Sequence, residues 1–172
     1  MTIAAPVSTG PAVFSFYRAK CYALHTMEWQ VQTLADTETV AHELLASLEP
    51  ANTATVLALQ GDLGAGKTTF VQALAGGVGV AEPVTSPTFV IQKSYAARAP
   101  WQQLVHIDAY RLDDPAELSR LGFAELLSLS RTLVCIEWAE RVAPLLPKEA
   151  IHLSFTILDD HRCISAHYAK KN

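Results

Sequence analysis

Three cysteines, Cys21, Cys135 and Cys163, are too few and too widely spaced to suggest a disulfide framework or a zinc site. Cys135 falls in an apolar run and reads as a buried thiol, and such usage suits a reducing cytosol. No apolar segment approaches the roughly 20 residues needed to span a bilayer. Charge is sparse as well: 17% of the residues are Asp, Glu, Lys or Arg, with 13 basic against 17 acidic side chains and a net charge of −4. That balance argues against autonomous nucleic-acid binding, which needs a basic patch to displace counterions. A nucleic acid held mainly by a partner protein stays open. Residues 1 to 26 contain no acid, and Arg18 and Lys20 are their only charges. No charged stretch precedes an apolar core there, which argues against a secretory signal, and two basic residues are thin support for a transit peptide. With Pro6, Gly10 and Pro11 against regular structure, this segment reads as a disordered extension or as the result of a misassigned start, the folded part beginning at Met27. No Asn-Lys-x-Asp occurs, which argues against a guanine-specific GTPase.

Half of the 172 residues are apolar, enough for one substantial core over residues 27–172. The stretch Gly61 to Thr69 reads Gly-Asp-Leu-Gly-Ala-Gly-Lys-Thr-Thr and fits the phosphate-loop pattern G-x-x-x-x-G-K-S/T. Before it, Ala54 to Gln60 is a short apolar run rich in strand formers. After it, Phe70, Val71 and Leu74 recur at helical spacing until Gly76-Gly77. Strand, loop and helix therefore follow in the order such a site needs. Glycines allow the backbone to curl so that successive N–H groups form an anion nest, and the helix start adds partial positive charge. The Lys67 ammonium can reach the β- and γ-phosphates, and the Thr68 hydroxyl can ligate Mg²⁺.

Around this unit the pattern predicts an α/β domain. Glu28 to Val31 reads as a first strand, and Asp36 as the N-cap of a helix running to about Leu48, with Val40, Leu44, Leu45 and Leu48 as its apolar stripe. Pro83 to Thr88 is a loop marked by two prolines. Phe89-Val90-Ile91 and Gln103 to Ile107 read as a hairpin pair. Asp114-Pro115-Ala116-Glu117 carries the signals of a helix start, with a break at Gly122. Thr132 to Ile136 is a buried-strand pattern, and Ile151 to Leu158 with Cys163 to Tyr168 form a last hairpin around Asp159-Asp160-His161-Arg162. Strands alternating with helices predict a mixed sheet.

Two acids follow apolar runs: Asp108 ends Leu104 to Ile107, and Glu137 ends Leu133 to Ile136. Acids at the carboxyl ends of strands beside a phosphate loop are where a metal-positioning or catalytic carboxylate belongs. The spacing leaves open which takes which role. Thr88 sits where a switch residue can reach the γ-phosphate, or it is an ordinary loop threonine. His106 points away from Ile107 and reads as a packed core histidine. Arg111 can serve transition-state charge or a structural ion pair.

The ordered set Gly-Asp-Leu-Gly-Ala-Gly-Lys-Thr-Thr, Ser86-Pro87-Thr88, His106-Ile107-Asp108-Ala109-Tyr110-Arg111-Leu112 and Ile136-Glu137-Trp138 resembles the TsaE (YjeE) family from about Gln30 onward. These are small bacterial ATPases required for the threonylcarbamoyladenosine modification of tRNA. The resemblance implies a P-loop NTPase-like, three-layer α/β fold with a mixed, mainly parallel sheet and a C-terminal β-hairpin. It implies slow, Mg²⁺-dependent ATP hydrolysis in the cytoplasm, in complex with the TsaB and TsaD proteins that modify adenosine 37, with the ATPase cycle resetting that synthase. By the same resemblance, Gly61 and the run Leu63, Gly64, Ala65, Gly66, Lys67, Thr68 and Thr69 hold the phosphates. Thr68 and Glu137 ligate Mg²⁺, Asp108 is the catalytic or metal-positioning acid, Thr88 is the switch residue, and Trp138 lies by the nucleotide. Thr37 and the pair His161-Arg162 supply further nucleotide contacts, although the family often has Gly where this chain has His161. A small-molecule or nucleoside kinase is the alternative reading. It usually needs an arginine-bearing lid, and the seven arginines here are scattered. A nucleotide-sensing switch without useful hydrolysis is a third.

Overall fold

The computed structural model describes residues 26–168. The extension expected over residues 1 to 26 lies, except for Thr26, outside the described residues. Seven strands form one sheet, in the order β1-β7-β6-β2-β5-β4-β3. At its centre is β2, Thr55–Gly61, in which Val56, Leu57, Ala58 and Leu59 are all buried. A strand covered on both faces reads as a continuous apolar run, not an alternating one. β5, Thr132–Glu137, is buried at every position for the same reason. β2 pairs in parallel with β5 and with β6, Ile151–Ile157, while β4, Gln103–Asp108, pairs in parallel with β5. β7, Arg162–His167, runs antiparallel to β6, and β1, Thr26–Val31, runs antiparallel to β7. β1 thus has the direction of β6, and only β7 and β3, Gln92–Ala96, oppose the rest of the mixed sheet.

Helices cover both faces, giving three layers. On one face lie α1, Leu34–Ala46, and α2, Lys67–Gly77, whose Val40, Leu44, Phe70 and Leu74 pack on Leu57, Leu59, Leu133 and Cys135. On the other lie α3, Pro115–Arg120, α4, Phe123–Leu127, and a 3-10 segment, Ala139–Leu145, over Val56, Ala58, Val134 and Ile136. The break expected at Gly122 is present, with φ +79.

Two local expectations are corrected. The first helix begins earlier than Asp36. Thr33 is its N-cap, and Asp36 is the third helical residue, closing a capping box in which its carboxylate accepts from the Thr33 N–H (2.8 Å) and the Thr33 hydroxyl accepts from the Asp36 N–H (3.1 Å). The expected strand Phe89-Val90-Ile91 is instead a turn. The Pro87 carbonyl accepts from the N–H groups of both Val90 (2.9 Å) and Ile91 (2.7 Å), and Ile91 adopts φ +65. Phe89 and Val90 are left 85% and 65% exposed. The hairpin partner of β4 starts only at Gln92, and it pairs antiparallel to β4 as expected.

Candidate functional site

The loop between β2 and α2 turns on residues with positive φ, namely Gly61 (+139), Gly64 (+80) and Gly66 (+101). Gly61 is constrained twice over. Beyond its φ, a methyl group there would collide with the carbonyl oxygen of Phe155 on β6. The loop is thus seated against the sheet by the absence of a side chain. Gly66 leads into α2 without a side-chain cap, so the first N–H groups of the helix have no competing side-chain acceptor.

Lys67 is buried at the start of α2. Its ammonium donates to the carbonyls of Gly61 (2.5 Å) and Asp62 (2.8 Å) and lies 4.0 Å from the centre of the Trp138 ring. Burial pulls the lysine below its ordinary pKa of 10.5, opposed by the charges of Glu137, Glu140, Asp108 and Asp62. Trp138 itself is in the left-handed region, φ +57, and its ring also packs against Tyr110, 5.1 Å between ring centres.

One residue further along α2, the Thr68 hydroxyl donates to the Glu137 carboxylate, 2.8 Å from Oε1 and 3.0 Å from Oε2. Glu137 is 3% exposed and stands level with Asp108 across the β4–β5 ladder. Asp108 is held by the proline-marked loop. Its Oδ2 accepts from Ser86 (2.9 Å) and from Thr88, and its Oδ1 accepts from the Tyr110 N–H (3.0 Å). The two acids expected at strand ends therefore lie side by side, one facing the helix start and one facing the candidate switch.

On the other side of the loop is a cavity of about 310 Å³. Thr37, Gly64, Ala65, Gly66, Thr69 and Arg162 line it, together with Thr33 and Phe155. Three separate stretches of sequence thus meet at one opening. The expected residues that do not line it are equally plain. His161 turns to Asp160, with Nδ1 2.6 Å from its carboxylate, and Leu63 is 79% exposed. The Thr37 hydroxyl is engaged within α1, donating to the Thr33 carbonyl at 3.3 Å.

The donor chemistry bears on metal binding. Among the described residues no group of three or more His, Cys, Asp or Glu side chains could hold a metal ion. Thr68 and Glu137 nevertheless bring hard oxygens together. Mg²⁺ suits such a site, because it takes one or two protein oxygens and completes its shell with phosphate and water.

The family model for Threonylcarbamoyl adenosine biosynthesis protein TsaE matches residues 31–164. The chain belongs to the TsaE family. It is 38% identical over 131 residues to the tRNA threonylcarbamoyladenosine biosynthesis protein TsaE of Nostoc, covering 74% of this chain and 78% of that protein. It is 43% identical over 106 residues to the protein of that name from Treponema pallidum, covering 61% and 75%, and 35% identical over 127 residues to that from Bacillus subtilis, covering 74% and 75%. The crystal structure of Bacillus subtilis YdiB superposes with a TM-score of 0.68 at 29% identity over 87% of this chain and 90% of that one. The stretch matched to TsaE runs from the end of β1 into β7 and so contains the loop, both acids, Thr88 and the whole cavity lining.

Sequence reasoning missed two contributors. Ser86 shares Asp108 with Thr88, and the Ser86 and Thr88 hydroxyls are 2.6 Å apart. Its signal was available, since it lies two residues from Thr88 in a loop fixed by prolines. The other is His106, whose imidazole reaches Glu137. Its position two residues before Asp108 on one strand, and so on the same face, was a legible clue.

Proposed function

We propose that the protein binds ATP with Mg²⁺ and hydrolyses it slowly, in the cytoplasm, as a component of tRNA threonylcarbamoyladenosine synthesis that acts on the TsaB and TsaD proteins. The observation that carries the nucleotide reading is the position of the loop between two unlike sites. A cavity of nucleoside size opens on one flank, and Thr68, Glu137 and Asp108 gather on the other. A nucleotide laid across Gly64 to Thr69 puts its base side in the cavity and its terminal phosphates toward Lys67 and the acids. Lys67 then exchanges its bonds to the Gly61 and Asp62 carbonyls for phosphate oxygens. Thr68 and Glu137 would hold Mg²⁺, which would supply charge neutralisation at the phosphates. Asp108 orients the attacking water once the Ser86 and Thr88 hydroxyls release it. Docking of a partner against that loop would gate hydrolysis, as loop closure does elsewhere. The pathway reading rests on the names of the relatives and on the family description. With a net charge of −4, contact with tRNA is assigned to the partner proteins.

Calorimetry of ATP binding, with and without Mg²⁺, tests the site directly. The wild-type chain should bind, and Lys67→Ala should lose most of its affinity while unfolding at a similar temperature. Undiminished ATP binding by folded Lys67→Ala would overturn the site. ATPase assays with and without purified TsaB and TsaD test the rest. Fast turnover by the chain alone, unaffected by the partners, would contradict the gated reading.

A further inference from the structure

We propose that His106 is a positioning residue for Glu137, holding the carboxylate in the orientation that Mg²⁺ binding requires. The proposal rests on the ATP–Mg²⁺ reading above. The imidazole is wholly buried, on the sheet face covered by α2. Its Nε2 is 2.8 Å from Glu137 Oε1. A carboxylate only accepts, so Nε2 must carry the hydrogen and donate it. The other ring nitrogen, Nδ1, is buried and has no hydrogen-bond partner among the described residues.

That asymmetry is informative. A histidine in a hydrophobic layer with one nitrogen orphaned weakens the fold relative to an apolar side chain of similar volume. What the imidazole contributes is its single bond to Glu137. Oε1 accepts the imidazole hydrogen, while the single Thr68 hydroxyl hydrogen is shared between Oε1, at 2.8 Å, and Oε2, at the longer distance of 3.0 Å. The carboxylate is therefore tethered on one oxygen from beneath the sheet surface, and Oε2 is the oxygen freer to turn to a cation. Without the tether, Glu137 has only Thr68 to orient it, and Thr68 is itself the second expected ligand. Groups that orient metal ligands in this way are worth about tenfold to a hundredfold in metal affinity.

The test uses the full chain and a non-hydrolysable ATP analogue, titrated calorimetrically at varied Mg²⁺, with unfolding temperature as a second readout. In His106→Leu the Mg²⁺ concentration needed to strengthen analogue binding should rise about tenfold or more. Analogue binding without Mg²⁺ should stay within about twofold, because the hydrogen bond of His106 goes to Glu137 and not to the loop. His106→Gln, whose amide nitrogen can occupy the place of Nε2, should recover most of the Mg²⁺ effect and covers the case in which the leucine variant does not fold. Wild-type Mg²⁺ dependence in His106→Leu, or a glutamine variant no better than leucine, would overturn the positioning role. Failure of the underlying reading is distinguishable, because the wild-type chain would then show no Mg²⁺ effect on analogue binding at all.

Discussion

Replacing Gly61 by alanine separates the steric role of the loop's first glycine from the conformational role that it shares with Gly64. Both have positive φ, at +139 and +80. An alanine held in such a region costs of order 1–3 kcal/mol. At Gly64 nothing among the described residues lies within 4 Å of the added methyl, so conformational strain is the cost there. At Gly61 the methyl would strike the Phe155 carbonyl oxygen and approach the Phe155 Cβ to 3.0 Å. The obstacle is main chain of β6, in register with Gly61 in a parallel ladder, and it cannot swing away as a side chain would. Relief requires local separation of β2 from β6, which forfeits about one further ladder hydrogen bond, roughly 1 kcal/mol. The sum for Gly61→Ala is then about 2–4 kcal/mol, or about 4–16 °C in melting temperature for a chain of this size. Thermal unfolding followed by circular dichroism measures both variants. Gly61→Ala should melt below Gly64→Ala by several degrees, and it should also bind ATP less well, because the Gly61 carbonyl that moves is one of the two that hold Lys67. Equal melting temperatures for the two variants would refute the steric argument.

Thr88→Val removes a hydrogen bond to the Asp108 carboxylate at a half-buried position, and its stability cost should be about 1 kcal/mol. If Thr88 works as a switch, partner-stimulated turnover should fall well beyond what that loss explains, and turnover equal to wild type would remove the role. Asp36 gives a pH prediction with a fixed sign. Hydrogen bonds from the Gln32 and Thr33 N–H groups hold its carboxyl below the ordinary value of 3.8. A carboxyl depressed in the folded state contributes stability that is present above the unfolded value and is lost as pH falls through the folded one. Asp36→Asn should therefore melt below wild type at neutral pH, and the gap should shrink below about pH 3.8, the unperturbed value. A gap independent of pH would assign the effect to the amide's geometry instead of to charge.

The parts of the fold legible in the sequence were those where one physical demand dominates. β2 and β5 are covered on both faces, so their apolar runs could be read directly. The same double coverage makes Asp108 and Glu137 conspicuous, since an acid ending such a run is leaving the core for a site. Where two demands compete, reading failed. Phe89-Val90-Ile91 has the composition of a strand, but Pro87 fixes a turn whose carbonyl captures the Val90 and Ile91 N–H groups, and the Phe89 and Val90 side chains are left in solvent. Asp36 and Thr33 are both fit to cap a helix. The capping box uses both, and only the spacing of three residues decides which is the cap.

The buried histidine shows a different limit. At His106 the alternation of β4 correctly puts the side chain inside, and a buried histidine taken alone is unremarkable. Its meaning depends on where Glu137 comes to lie, on a strand that is its neighbour in space and some thirty residues away in sequence. Parallel neighbours in the sheet order β2-β5-β4 are joined only by crossovers, so no local pattern records which residues stand level. The register does record it: Asp108 opposite Glu137, and His106 opposite Cys135. That offset lets an imidazole two residues back along β4 reach diagonally to a carboxylate at the end of β5, beneath the hydroxyl of Thr68. A one-residue slip of β4 against β5 would turn His106 and Asp108 to the opposite face and take Glu137's tether and its neighbouring acid away together. The geometry of the site is in this sense a property of strand register, and the phosphate loop that makes the site conspicuous in the sequence says nothing about it.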